Sequence, residues 1–156
     1  MKSQLLLIVT LSSLALTSAI GASAQPELPS SKVREATTLE RLRAARRQYD
    51  PARPVGVEKR AAAFAKLLEG QRFLWLVNNA RRSRTQSMSA QNALRARTAF
   101  VQAVEFDPSL AEAYFAIAEL SITIPPGDID AAIEIAGMAI EVDRDNFSAH
   151  RLLARL

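Results

Sequence analysis

The feature that most limits what this chain can fold into is an internal repeat. Residues 103–120 (AVEFDPSLAEAYFAIAEL) align without a gap on residues 139–156 (AIEVDRDNFSAHRLLARL), an offset of 36 residues. Ala103/Ala139, Glu105/Glu141, Asp107/Asp143, Ala113/Ala149, Ala118/Ala154 and Leu120/Leu156 are identical, and most other pairs keep their polarity. A period of this size marks a supersecondary unit that cannot bury its apolar face alone and must stack on a neighbour. Small residues recur where two helices must approach, and large apolar ones where a side chain fills the space between. Ala, Leu, Arg and Glu dominate and alternating β-branched runs are missing, so the expected fold class is all-α.

Breakers divide the chain into helical segments. Residues 32–49 carry no Pro or Gly and present a thin apolar stripe of Val33, Ala36, Leu39, Leu42, Ala45 and Tyr49. Pro51 and Pro54 end that segment. A second helix is expected over 57–77, with Ala61, Phe64, Leu67, Leu68 and Leu74 at helical spacing and Phe73 and Trp75 as core anchors. Residues 78–89 lack periodicity and read as an exposed basic loop carrying Arg81, Arg82 and Arg84. Further helices are expected over 90–106, 110–123, 128–142 and from 147 onward, separated by Asp107-Pro108 and by Pro125-Pro126-Gly127. Ser109 with Glu112 forms a capping-box pattern, and Asp128 is placed to cap the helix after it.

The spacing Ala96-x-x-x-Phe100-x-x-Ala103-x-x-x-x-Pro108 resembles the second helix of the tetratricopeptide repeat family, whose period is 34 residues. Tyr114, Ile117 and Ala118 fall on the first-helix positions that usually hold an aromatic, an aliphatic and a small residue, and Ala132 and Ala139 repeat the two alanines. The chain departs from the pattern at Ala136 (no aromatic), at Arg144 (no closing proline) and in a two-residue insertion within 124–128. The match is best over 90–156. Pairing Gly70 and Phe73 with the first-helix glycine and aromatic extends it to 57–156, with an insertion of about fourteen residues at the basic loop. The resemblance implies antiparallel helix pairs stacked as a short solenoid, with the last repeat incomplete and Leu152, Leu153 and Leu156 lacking a covering helix. It also implies a concave surface that holds a protein or peptide partner, lined here by Glu112, Phe115, Glu119, Arg151 and Arg155. The Lys and Asn set with which one well-known member grips a C-terminal carboxylate is absent.

Residues 1–24 combine Met1-Lys2, an uncharged apolar run over 5–20 and an Ala22-x-Ala24 site, the order expected of a signal peptide cleaved before Gln25. The run is short for a membrane span of roughly 20 residues. No cysteine is present for a lipid anchor, so a periplasmic or secreted protein is expected, with 25–56 as a linker and basic N-terminal helix. The lack of cysteine also excludes disulfides, thiolate nucleophiles and cysteine-bound zinc. Charge is uneven: residues 25–97 hold sixteen Lys and Arg against six Asp and Glu, and residues 98–156 hold three against ten. Either the two halves complement each other, or the basic half touches an anionic surface; export argues against nucleic acid.

Catalytic patterns are missing. His150 is the sole histidine and reads as a helix-surface or core-edge residue, and Asp128 and Asp130 read as helix-start carboxylates rather than metal ligands. There is no phosphate-binding glycine loop, HExxH or GxSxG. The expected role is therefore a non-enzymatic interaction scaffold or adaptor without a cofactor, with envelope assembly or secretion implied at the family level. The alternative expectation is the N-terminal repeat region of a longer enzyme.

Overall fold

The computed structural model describes residues 31–82 and 86–156. The expected signal segment and Arg84 lie outside the described residues. Those described form six α-helices and no strand: α1 (Ser31–Gln48), α2 (Val57–Arg82), α3 (Gln86–Phe106), α4 (Ala111–Thr123), α5 (Ile129–Val142) and α6 (Phe147–Arg155). The all-α expectation holds, and no described helix is long and apolar enough to cross a membrane.

The basic loop expected over 78–89 is largely helix. Helix α2 continues through Arg82 and α3 begins at Gln86, with residues 83–85 outside the described residues. Absence of an apolar stripe was a poor argument for a loop here, because 78–89 contain neither Pro nor Gly. The capping box at Ser109 does not form either. Leu110 occupies the cap with no side-chain bond, while the Ser109 amide and hydroxyl both donate to Asp107 Oδ1, at 3.0 and 2.5 Å. Asp128 does cap α5, accepting from the Ala131 amide at 2.9 Å, and Asn146 caps α6 by accepting from the Ala149 amide at 2.9 Å.

Helices α2 and α3 make the most extensive contact, followed by α4 with α5. Among the described side chains of α2 the buried positions are Ala63, Leu67, Gly70 and Val77, spaced four, three and seven residues apart as one face requires. Gly70 backs onto the fully buried Phe100 ring so closely that a Cβ there would lie 2.6 Å from Cδ1 and 2.7 Å from Cζ. Ala96, Ala103, Ala132 and Ala139 are each wholly buried where helices meet. Helix α4 is buried nearly all round because α3, α5 and α6 surround it.

Helix α1 skips α2 and crosses α3 and α5. Leu42, Ala45 and Thr38 are buried beneath it, whereas Val33 and Ala36 of the expected stripe are exposed. Its arginines meet acidic residues far along the chain. Arg41 forms a two-armed pair with Glu105 (2.8 Å on each arm) and Arg43 another with Glu134 (2.6 and 2.8 Å). Arg46 stands 3.4 Å from Glu141. The hydrogen bonds Arg43 donates to Glu134, and then to Glu40, raise its pKa further above its ordinary value. Part of the charge asymmetry is thus satisfied within the molecule.

The 36-residue repeat has a structural counterpart. Asp107 and Asp143 each accept from the amide two residues on, at 3.0 and 3.2 Å. The Tyr114 hydroxyl donates to the Pro108 carbonyl at 3.3 Å, and His150 Nε2 donates to the Arg144 carbonyl at 2.9 Å. Glu105 and Glu141, also equivalent, both face arginines of α1. His150 is therefore the repeat partner of Tyr114, and its hydrogen bond performs the same local task.

Candidate functional site

Glu112, Phe115 and Glu119 fall three and four residues apart and so share one stripe of α4. The structure leaves Glu112 exposed and Glu119 half-buried. Phe115 is half-buried, one side against the core and the other open, so it is neither a free groove residue nor an interior one. Arg151 and Arg155 are exposed on α6, and α4 and α6 touch. The structure therefore brings the two predicted groups onto neighbouring helices. It does not pair them: among the described residues, none of these four charges takes part in an ion pair.

One residue of this region was missed in the sequence. Phe147 is 74% exposed, and the Arg151 guanidinium lies 5.9 Å from the centroid of its ring. Phe147, Arg151 and Arg155 succeed one another at four-residue intervals on α6, a spacing that was available to find it. Phe147 opens α6, whose first turn Asn146 caps, and α6 touches α4. The two neighbouring helices thus carry the rings of Phe115 and Phe147, two carboxylates and two guanidinium groups between them. The pair can hold an apolar side chain and flanking charges, and it has no group set for covalent chemistry.

Arg81 and Arg82 stand in the last turn of α2. Trp75, expected in the core, is 65% exposed, and Phe73 is half-buried with the Arg95 guanidinium 5.8 Å from its ring centroid. Leu152 is buried after all, Leu153 half-buried and Leu156 exposed; contact with α5 and α4 covers the first.

A cleft of about 590 Å³ opens elsewhere, between Arg34 and Leu39 of α1, Leu94 and Arg97 of α3 and the turn from Ile124 to Asp130. Arg34, Arg97, Asp128 and Asp130 are the charged residues of its lining. Nothing local in the sequence announces it, because three separate segments make it. Among the described residues no group of His, Asp or Glu is arranged to hold a metal ion. Comparison with family models, curated proteins and solved structures finds no match to this chain.

Proposed function

We propose that this chain is an exported interaction module of the tetratricopeptide type, a scaffold or adaptor in envelope assembly or secretion rather than an enzyme. In this reading α2 with α3 and α4 with α5 are antiparallel pairs stacked as a short solenoid, and α6 opens a further unit. The recurrence of the Tyr114 and His150 bonds 36 residues apart supports the repeat. So does the close seat of Gly70 on Phe100, which supports counting α2 with α3 as a pair despite the insertion between them.

What carries the functional reading is the face shared by α4 and α6. Glu112, Glu119, Arg151 and Arg155 are in no ion pair among the described residues, and they share these two touching helices with the half-buried Phe115 and the exposed Phe147. Such a face suits a peptide of mixed charge anchored by one hydrophobic side chain. Contact of the basic half with an anionic surface is the weaker reading, since Arg41, Arg43 and Arg46 are engaged with Glu105, Glu134 and Glu141.

Capture from a periplasmic extract, followed by titration of the recovered partner, tests this. Phe147→Ala removes an exposed ring and should change unfolding free energy by no more than about 0.5 kcal/mol, yet weaken the partner at least tenfold. Native-like affinity in both Phe147→Ala and Phe115→Ala would remove the α4/α6 face from consideration.

A further inference from the structure

The outer face of α2 is largely apolar, and none of the described residues covers it. Val57, Phe64, Leu68 and Trp75 are all exposed, with Ala61 and Gln71 between them. Spacings of four, three, four, three and four residues put the six on one stripe, the seam of a helix that packs against another helix. It extends over about 27 Å. The only substantial helix neighbour of α2 among the described residues is α3, which meets the other face through Leu67, Gly70 and Val77. A run of large apolar side chains of this length on a surface marks a contact site.

The stripe is complementary to itself. Turned end to end about residue 66, Val57 faces Trp75, Ala61 faces Gln71 and Phe64 faces Leu68, each large side chain meeting a smaller one. The same rotation brings Glu58 close to Arg72, twice. Both are exposed, and neither belongs to an ion pair among the described residues. Covering these side chains on two copies removes on the order of 1,000 Å² from water, the threshold for a specific interface. We propose that α2 is the interface of a two-fold symmetric dimer of this chain, its helices antiparallel and in the register just described. An isologous contact of this kind closes on itself and leaves no sticky surface for further growth. It stands apart from the α4/α6 face and does not depend on that face binding a peptide.

Trp75, the single tryptophan, reports directly. Sedimentation equilibrium should give a dimer, and Trp75 emission should move to shorter wavelength as concentration rises through the dissociation constant. Leu68→Glu places a carboxylate in both central layers and should weaken association at least about a hundredfold. Because Leu68 is exposed in the single chain, that variant should keep its helix content and melting temperature at dilution. Glu58→Arg and Arg72→Glu should each weaken the homodimer, and mixing the two variants should restore it, since every flanking pair is then opposite in sign. A monomer at all concentrations overturns the proposal, as does a dimer indifferent to Leu68→Glu or one that leaves Trp75 emission unchanged. Mixed variants that associate no better than either alone overturn the antiparallel register.

Discussion

Replacing Gly70 by Ala sets two effects of known sign against each other. In the interior of a helix alanine is favoured over glycine by about 0.5–1 kcal/mol. Against this, the new Cβ would enter the Phe100 ring, with 2.6 Å to Cδ1 and 2.7 Å to Cζ. Phe100 is wholly buried and cannot swing away, so α2 and α3 must part or the ring must leave its rotamer. Overpacking of this kind costs about 1–3 kcal/mol. The net expectation is a loss of about 1–2 kcal/mol, seen as a fall in melting temperature of about 2–8 °C. Urea and thermal unfolding followed by circular dichroism measure both. Phe100→Leu in the same background supplies the control: two residues in contact should couple by about 0.5 kcal/mol or more, the double variant being more stable than the two single losses predict. If Gly70→Ala were as stable as the native chain or more so, propensity would have prevailed, and α2 and α3 could not be pressed together at this point.

Three further outcomes are expected. Asp107→Ala strips the acceptor from the Ser109 amide and leaves Arg60, 3.5 Å from Oδ2, without its carboxylate; it should cost about 1–3 kcal/mol in urea unfolding, and Asp143→Ala, at the exposed equivalent, distinctly less. A double-mutant cycle on Arg41 and Glu105 should give a coupling of at most about 1 kcal/mol, which shrinks when salt is raised because both side chains are partly exposed. Burial raises the Tyr114 pKa, so the folded chain keeps a proton that the unfolded chain releases near pH 10. Stability is then complete below that pH and declines above it, and in Tyr114→Phe this part of the alkaline slope should vanish from pH-dependent melting curves.

Most of the architecture was legible from local signals. Asp107-Pro108, Pro125-Pro126-Gly127 and the two prolines after α1 mark helix ends because a ring or a positive φ (Gly127, 76°) acts within one or two residues. Where the local signal was only polarity it misled, as in residues 78–82, where α2 continues. The candidate site was legible in part for a similar reason. The family resemblance put Glu112, Phe115 and Glu119 on one first helix and Arg151 and Arg155 on the next, and α4 and α6 do meet. Phe147 went unnoticed because its value depends on being left uncovered.

By itself, then, the chain's order of residues determined most of the helices and most of their ends, since hydrogen bonds and steric limits along a backbone reach no further than a turn. Burial was decided elsewhere. Leu67 and Leu68 are adjacent and chemically identical, yet one is buried and the other 64% exposed, because α3 meets only one side of α2. Arg41 and Arg43 find Glu105 and Glu134 across 64 and 91 residues of chain. No local pattern encodes such pairings: they exist only after packing has placed α1 across α3 and α5, which is a property of the whole fold.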